Sequence, residues 1–469
     1  MPNNKKQQFD LIVLGGGPGG YTAAIKASKE NLSVALVEET DRLGGICLNW
    51  GCIPTKSLLR SAEIYENISS AEDFGITPGN VHIRWSHVIK RSRNVSDSFS
   101  DGIQFLMKKN KIQVFHGRGV LEGGGGVRLS DEDNTILSAK HIIIATGAHS
   151  AEISGITIDR ETIITSREAM VLEKRPESIV IVGAGAIGIE FACFFNTFGT
   201  AVTLIEMRDR ILPGADSEIS KRLERFLKNR GITIMTSSTV RNVQIEYFGC
   251  LAKVEDLKSG SNDIIDCKKL LIAAGSIGNV QEIGLETAGV EVKDGFITVD
   301  NTCRTTAENI WAIGDCIGQP LLAHAASAEG ECAIESIVGI ETTGIDELII
   351  PNCIYSKPQV AWVGFSEKAA SEAGYDIIMG KCPFRVTGQA VTLGEPDGFV
   401  KAIIDKKTGK ILGAHIIGTG ATEIIEEIVL AIQNDITAKQ FIKTVHPHPA
   451  LSEAVKEAVA DALGKSIII

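Results

Sequence analysis

The chain has 469 residues, of which 44% are hydrophobic and 22% charged, and a net charge of -11. This composition is ordinary for a globular protein, and at about 150 residues per domain the length predicts roughly three domains. The acidic balance disfavours nucleic acid or an anionic membrane as a partner, because both require a basic surface. No apolar run approaches the ~18 residues of a membrane span, and residues 1–8 lack the apolar stretch of a signal peptide, so we expect a cytoplasmic protein.

A nucleotide-binding βαβ unit is predicted at the start of the chain. Gly15, Gly17 and Gly20 have Gly-x-Gly-x-x-Gly spacing. In this motif the first glycine makes the turn, the second lets the backbone approach a pyrophosphate, and the third packs the helix on the sheet. Glu38 ends the second strand, where a carboxylate can accept hydrogen bonds from a ribose. A strand is expected at residues 9–14, then a helix that opens within the glycine turn at 15–20 and runs to about residue 31, then a second strand at 33–37.

Two cysteines, Cys47 and Cys52, follow this unit within residues 44–56. On an ideal helix their spacing separates the Cα atoms by roughly 8–9 Å, whereas a disulfide requires about 4.4–6.8 Å. A bridge therefore needs an irregular helix, which Gly51 permits, and regular helix is expected only from about Pro54. Thiols at a helix start gain thiolate character from the helix dipole, so the pattern favours a redox-active pair over two inert buried cysteines.

The other cysteines show no Cys-x-x-Cys or Cys/His ligand spacing, and we interpret them as core or surface thiols. A metal held by Cys47 and Cys52 alone would lack two further ligands, so no metal is expected. The remaining cysteines are Cys193, Cys250, Cys267, Cys303, Cys316, Cys332, Cys353 and Cys382.

A second βαβ unit is predicted in the middle of the chain. Gly183, Gly185 and Gly188 repeat the glycine spacing. Glu206 follows Gly183 by 23 residues, the same separation as between Gly15 and Glu38 in the first unit. One such motif alone is weak evidence, but two in a complete strand–turn–helix–strand context indicate two dinucleotide sites. The site beside the cysteines is expected to hold a flavin. The strands of the second unit are expected at residues 178–182 and 201–205.

Two further strand ends fit the same plan. Thr146 and Gly147 follow one apolar strand, Asp315 follows another, and ligands on open α/β sheets bind at such carboxyl ends. Asp315 could equally serve as a helix cap. A helix is expected over residues 321–338, with His324 near its start, and its positive end would stabilise the anionic charge of a reduced flavin.

After about residue 346 the pattern becomes that of an α+β domain without a nucleotide fingerprint, which suggests a role in packing or dimerisation. A glycine run at residues 123–126 is typical of a hairpin tip. In the C-terminal part, strands are expected at 360–363, 399–404 and 412–417, and helices at 366–374, 421–433 and 451–464.

Together with the closing segment at residues 446–453, these motifs resemble the pyridine nucleotide–disulfide oxidoreductases over essentially the full length. Within that family the chain is most similar to members that oxidise dihydrolipoamide with NAD⁺. The resemblance implies a homodimer with an α/β fold: two Rossmann-like domains for FAD and NAD, and a C-terminal α+β dimerisation domain. The implied divisions are an FAD-binding domain with the redox-active disulfide at 1–150, an NAD-binding domain at 151–274, a central domain completing the FAD site at 275–346, and an interface domain at 347–469.

The resemblance also implies roles at the redox centre. Cys47 would exchange with dihydrolipoamide, and Cys52 would contact the flavin. Lys56 would lie near the flavin and pair with Glu190 just beyond the second fingerprint. A solvated lysine is the simpler alternative for Lys56.

The closing segment contains two histidines, and the resemblance selects one of them as a base. His448, with Glu453 five residues later, would act in the partner subunit's active site, and His446 is the rival. An imidazole with an ordinary pKa near 6.5 can take a proton from a thiol, and a carboxylate partner would fix its tautomer.

The cofactor contacts implied by the resemblance come from both fingerprints and from scattered strand ends. For FAD they are Gly15, Gly17, Gly20, Glu38, Gly45, Lys56, Gly119, Thr146, Gly147, Asp315, Leu322, Ala323 and His324. For NAD they are Gly183, Gly185, Gly188, Glu206 and Gly275. The implied protein partners are the lipoyl domains and core acyltransferase of a 2-oxo acid dehydrogenase complex, or the lipoyl carrier of glycine cleavage.

Two alternatives remain at this point. One is an NADPH-dependent reductase of a glutathione-type disulfide, in which electrons would pass from the nicotinamide to the disulfide. Glu206 disfavours this alternative because its carboxylate repels the 2′-phosphate of NADPH, although Arg208 and Arg210 lie close by in the sequence. A non-catalytic redox sensor would hold both cofactors only to order its fold. The chain also departs from the family's Gly-Arg-x-Pro-Asn pattern, because Gly275 is followed by Ser-Ile-Gly-Asn, which alters contacts on the nicotinamide side.

Overall fold

The computed structural model describes residues 7–130, 135–318 and 320–469. Residues 1–6, which form most of the segment expected to lack a signal peptide, lie outside the described residues. Within the described ranges, the helices are all too short or too polar to span a membrane.

The first sheet brings the carboxyl ends of four parallel strands to one edge. Leu14 lies opposite both Val37 and Ile144, and Ala312 also lies opposite Ile144. The turns that follow these strands therefore meet, as expected for a nucleotide site on an open α/β sheet. The spatial order is Gln113–His116, Val34–Glu38, Gln7–Leu14, Ile136–Ile144, Gly126–Leu129 and Gly119–Gly123, with Ile310–Ala312 also paired to Ile136–Ile144.

Two features of this sheet bear on the sequence interpretation. Strand Ile310–Ala312, from the segment assigned to a central domain, completes the first sheet. The hairpin tip expected at residues 123–126 is present, joining two antiparallel strands.

A second parallel sheet repeats the arrangement around the second fingerprint. Val182 lies opposite Ile205 and Ile272, so the turns after these strands also meet at one edge. The order is Thr233–Met235, Ala201–Ile205, Ser178–Val182, Lys269–Ile272 and Ile163–Ile164. Packed on this sheet is an antiparallel one that the sequence analysis did not predict, formed by Ser238–Glu246, Gly249–Asp256 and Asn262–Cys267.

The C-terminal part is an α+β unit, as expected. Its antiparallel sheet has two strands that the sequence analysis missed, one at each edge. The order is Asn352–Ile354, Val360–Gly364, Ile411–Ile417, Phe399–Asp405 and Ile377–Pro383. Helix Ser452–Ala462 packs across two of these strands, so the residues just before it are held on a buried core.

The helices account for most of the remaining chain. The α-helices are Pro18–Lys29, Gly45–Trp50, Cys52–Ser69, Trp85–Lys109, Ser166–Ala169, Ala186–Thr197, Ser217–Asn229, Leu285–Ala288, Ala323–Val338, Glu367–Glu372, Gly388–Thr392, Ala421–Ile424, Glu426–Gln433, Ala438–Phe441 and Ser452–Ala462. The 3₁₀ turns are Ala71–Phe74, Gly314–Ile317, Glu347–Ile349 and Phe384–Val386, and the short strand pairs are Ala148–Ser150 with Ser276–Gly278 and Val292–Lys293 with Phe296–Ile297.

One helix boundary corrects the sequence interpretation. Regular helix was expected only from about Pro54, but it resumes at Cys52, directly after a break at Gly51 (φ -145°, ψ -113°). Proline is tolerated in the first turn of a helix because its missing N–H has no intrahelical partner there. Cys52 is therefore the first residue of an 18-residue helix.

Candidate active site

The first glycine fingerprint forms a tight turn in which two positions, Gly15 and Gly20, have no room for a side chain. Gly15 has φ +107°, and a Cβ there would lie 2.2 Å from the Ala145 carbonyl oxygen. A Cβ on Gly20 would lie 1.9 Å from the Gly15 oxygen, so the helix packs directly on the turn. Gly17 is open, since a Cβ there would have no neighbour closer than 3.8 Å. This is the arrangement in which a dinucleotide pyrophosphate approaches the backbone.

The carboxylate of Glu38 supports this turn. One oxygen accepts a hydrogen bond from the Gly16 N–H at 2.8 Å, and the other accepts from the Thr40 N–H at 2.9 Å. The side chain is thus fixed at the strand end where a ribose would bind.

A cavity of about 1600 Å³ runs from this turn to the second fingerprint. It is larger than the roughly 300–1,000 Å³ of common small-molecule sites, as an extended dinucleotide beside a second ligand would require. The predicted residues that line it are Gly15, Gly17, Glu38, Gly45, Cys47, Cys52, Lys56, Gly119, Thr146, Gly147, Gly185, Glu190, Gly275, Asp315, Leu322 and Ala323. The predicted residues that do not line it are Gly20, Gly183, Gly188, Glu206, His324, His448 and Glu453.

The two cysteines lie on either side of the helix break and are both thiols here. A hydrogen bond from Cys47, with the nearby Lys56 ammonium, outweighs burial and lowers the pKa of Cys52 to about 7. The same hydrogen bond and burial raise the pKa of Cys47. The pair is therefore asymmetric, because Cys52 ionises more readily than Cys47, and the start of the helix adds to the stabilisation of a Cys52 thiolate.

Lys56 lies one turn beyond Cys52 and forms an ion pair with Glu190. Its Nζ is 2.9 and 2.8 Å from the two carboxylate oxygens. Glu190 also accepts a hydrogen bond from the Tyr355 N–H at 2.9 Å, and the Lys56 ammonium lies 4.6 Å from the centre of the Tyr355 ring. Burial alone would lower the pKa of Lys56, but Glu190 outweighs it and raises the pKa, so the ammonium remains charged beside the thiols.

The second fingerprint reproduces the first in detail. A Cβ on Gly183 would lie 2.2 Å from the Ala273 oxygen, and one on Gly188 would lie 1.9 Å from the Gly183 oxygen. Glu206 accepts hydrogen bonds from the Ala184 and Arg208 N–H groups, both at 2.8 Å.

The arginines near the second fingerprint differ in their surroundings. The Arg210 guanidinium donates to the Pro213 oxygen at 3.1 Å, and the Arg208 side chain is exposed.

A carboxylate that was not predicted from the sequence supports the turn after strand Ile310–Ala312. Glu329, on helix Ala323–Val338, accepts a hydrogen bond from the Gly314 N–H at 2.6 Å and so ties that helix to the turn carrying Asp315. Burial raises the pKa values of both carboxyl groups. A glutamate among the small residues of the expected helix at 321–338 was the available signal in the sequence.

One of the expected flavin contacts, His324, does not line the cavity in this structure. His324 is exposed, and its Nε2 lies 2.8 Å from the Pro351 oxygen rather than at the cavity. The helix begins at Ala323, so the His324 side chain projects from the first turn away from the face that Leu322 and Ala326 present to the cavity.

Asn279 is a further position at this site that was not predicted from the sequence. Its Nδ2 donates to the Thr146 oxygen at 2.8 Å, and its own carbonyl oxygen accepts a 2.8 Å hydrogen bond from the Thr146 hydroxyl. The departure from the family pattern after Gly275 therefore retains the asparagine, which holds the strand end in place. The asparagine in that pattern was the signal that could have identified it.

The two histidines of the closing segment have different surroundings. His448 has a side chain that is 77% exposed, with Nδ1 2.9 Å from a Glu453 oxygen, while the other Glu453 oxygen accepts from the Ala450 N–H. His446 has a side chain only 4% exposed and lies 2.7 Å from Glu427. Of these two histidines, His448 is therefore the one whose ring another molecule can reach.

Residues 9–330 match the family described as pyridine nucleotide-disulphide oxidoreductase, and residues 350–459 match its dimerisation domain. The chain belongs to the pyridine nucleotide-disulphide oxidoreductase family. Dihydrolipoyl dehydrogenases of Chlorobaculum tepidum, Zymomonas mobilis and Bacillus subtilis are 44%, 42% and 41% identical to it, and each alignment covers at least 97% of both chains.

The crystal structure of LpdA from Mycobacterium tuberculosis superposes with a TM-score of 0.89 at 26% identity, covering 97% of this chain and 99% of that one. Membership of the family confirms the predicted fold class, the FAD and NAD cofactors and the assignment as an oxidoreductase, and it confirms a dimerisation domain at the C-terminus.

Proposed function

We propose that this protein oxidises protein-bound dihydrolipoamide to lipoamide and reduces NAD⁺, through the Cys47–Cys52 pair and FAD. The observation that carries the proposal is the placement of an asymmetric thiol pair in a cavity that continues to a second dinucleotide fingerprint. The relatives named dihydrolipoyl dehydrogenase favour this substrate over a glutathione-type disulfide.

The chain has two turns that fit the two cofactors. The first turn, with the open Gly17 and the fixed Glu38, suits FAD, because the same cavity reaches both thiols. The second turn, with Gly185 open and Glu206 fixed, suits NAD. When bound, FAD would accept an electron pair from the thiols and deliver it as hydride to NAD⁺. The carboxylate of Glu206 favours a free ribose 2′-hydroxyl over a 2′-phosphate.

The chain's own residues supply the sulfur chemistry. In the oxidised protein, one substrate thiolate attacks Cys47, the Cys47–Cys52 bond breaks, and Cys52 leaves as a thiolate. The second substrate thiolate then attacks the mixed disulfide, so lipoamide leaves and Cys47 is released. Lys56, held by Glu190, stabilises the Cys52 thiolate throughout. The two thiols thus have different roles, which fits their different pKa values: Cys47 exchanges with the substrate, and Cys52 faces the cofactor.

A proton acceptor is needed for the substrate thiol, and His448 of a second subunit suits this role. Neither His448 nor Glu453 lines the cavity of its own chain, whereas both lie in the dimerisation domain. The 2.9 Å contact with Glu453 occupies Nδ1 and leaves Nε2 available to a thiol. We therefore propose a homodimer in which each active site is completed by the other subunit.

The physiological partners follow from the substrate. Because dihydrolipoamide is carried on lipoyl domains, we propose that the protein partners are these domains and the core acyltransferase of a 2-oxo acid dehydrogenase complex, or the lipoyl carrier of glycine cleavage.

A steady-state assay tests the proposal. Dihydrolipoamide and reduced glutathione are each offered with NAD⁺ and with NADP⁺, and the expected result is efficient turnover only with dihydrolipoamide and NAD⁺. The Cys52→Ser variant should lose turnover and the long-wavelength absorbance that a thiolate makes with flavin, while retaining bound flavin. Preference for glutathione and NADP⁺ would instead identify a disulfide reductase, and a wild-type protein that lacks that absorbance and turns over neither thiol would identify a redox sensor.

A further inference from the structure

Two cysteines outside the redox pair lie side by side in the second dinucleotide-binding unit. Cys250 and Cys267 are directly opposed on the antiparallel strands Gly249–Asp256 and Asn262–Cys267, and their Sγ atoms are 3.4 Å apart. Directly opposed residues on such strands have Cα atoms about 4.5–5.5 Å apart, which lies within the ~4.4–6.8 Å range of a disulfide. The backbone here already has the separation that a bridge requires.

The local backbone holds the two strands close at this point. Gly249 has φ +147°, and a Cβ there would lie 2.2 Å from the Cys267 oxygen, so only glycine allows this approach. Both cysteines are buried in an apolar cluster with Val180 and Ile272. Neither lines the active-site cavity.

We propose that Cys250 and Cys267 form a second thiol–disulfide centre, distinct from the catalytic pair, which a hydroperoxide oxidises. In the first step the Cys250 thiolate attacks the peroxide oxygen, the O–O bond breaks, and a sulfenic acid and an alcohol or water are formed. In the second step the Cys267 thiol attacks the sulfenic sulfur, the S–S bond forms, and water leaves. Two thiols thus lose two electrons and two protons to the peroxide.

The order of these steps follows from the asymmetry of the pair. A hydrogen bond from Cys267 lowers the pKa of Cys250, which makes Cys250 the better nucleophile. Cys250 is also the second residue of its strand, and the preceding turn carries Tyr247, which is fully exposed. Fraying of this hairpin end would admit a small oxidant, whereas a bulky disulfide would be excluded.

The crosslink would act on the stability of the NAD-binding unit. It would join two strands of the antiparallel sheet immediately before strand Lys269–Ile272, which ends beside the cavity residues Ala273 and Gly275. A bridge between strands removes conformations from the unfolded chain and so favours the folded state. The oxidised protein is therefore expected to melt at a higher temperature than the reduced protein.

Peptide mapping of the holoenzyme tests the proposal directly. The reduced protein is treated with hydrogen peroxide, free thiols are alkylated, and the protein is digested with trypsin without reductant. A disulfide-linked pair of peptides is expected, residues 242–253 joined to residues 259–268, with a mass two hydrogen atoms below their sum. Cys250→Ala should abolish the linked pair and the rise in melting temperature, and the matched control Cys382→Ala, which changes a buried cysteine elsewhere, should retain both.

The proposal is overturned if both peptides are recovered alkylated at a peroxide concentration that links Cys47 to Cys52, or if Cys250 is recovered as a sulfinic acid. This mapping uses the wild-type protein, so it decides the question even if the alanine variant does not fold. Because the readout is a peptide mass and not turnover, its outcome is independent of the substrate proposed above.

Discussion

Replacing His448 with glutamine tests the division of roles between the two histidines of the closing segment. Glutamine keeps a polar side chain but cannot take up a proton. His448 is exposed and contacts Glu453, whereas His446 is buried and contacts Glu427. The same change should therefore lower turnover at His448 and lower stability at His446.

The expected magnitudes follow from these surroundings. Loss of a positioned general base lowers rates by about 10²–10⁴-fold, equivalent to about 2.7–5.4 kcal/mol of activation free energy. Glu453 acts through His448, and the His448 side chain is 77% exposed to water, so the carboxylate charge contributes no more than about 1 kcal/mol and Glu453→Gln should cost roughly fivefold. His446→Gln removes a buried contact, which should lower the melting temperature but leave turnover within about twofold of wild type.

The assay is dihydrolipoamide oxidation with NAD⁺, accompanied by thermal unfolding and by a flavin content measurement for each variant. NADH oxidation by an artificial electron acceptor serves as the internal control, because it does not require the thiol base and should survive in His448→Gln. His448 is not the base if His446→Gln loses as much turnover as His448→Gln, or if His448→Gln keeps more than half of the wild-type rate.

Three further predictions concern the redox centre and the NAD site. In the reduced enzyme the Cys52 thiolate should disappear as the pH falls through about 7, because protonation removes the charge; spectrophotometric titration of the thiolate–flavin band should show this, and a band unchanged to pH 5 would refute it. Glu190→Gln leaves the Lys56 charge without its partner and, because the lysine side chain is 32% exposed, should destabilise the fold by about 1–3 kcal/mol in denaturant unfolding, with the exposed-pair variant Glu63→Gln near wild type as control. Gly188→Ala places a Cβ 1.9 Å from a backbone oxygen, so the KM for NAD⁺ should rise at least tenfold while flavin content is unchanged, and an unaltered KM would contradict the assigned packing role.

Much of the fold could be predicted because its signals are local. The glycine spacing and the apolar strands around Gly15 and Gly183 specify turn and strand within about thirty residues, and the structure has both units where they were expected. The break at Gly51 was also predicted, because five-residue spacing of two cysteines is incompatible with a bridge across regular helix. The antiparallel sheet from residue 238 to 267 was missed, since its strands carry exposed polar residues and no fingerprint.

The sequence by itself determined which chemistry is available: two dinucleotide turns, a thiol pair between them and a histidine–glutamate segment at the end. Only the tertiary structure decided which groups meet. Lys56 reaches Glu190 across 134 positions, Cys250 faces Cys267 through strand register, and burial separates His446 from His448. These contacts depend on how sheets pack and pair, and packing is a property of the whole chain that no local spacing encodes.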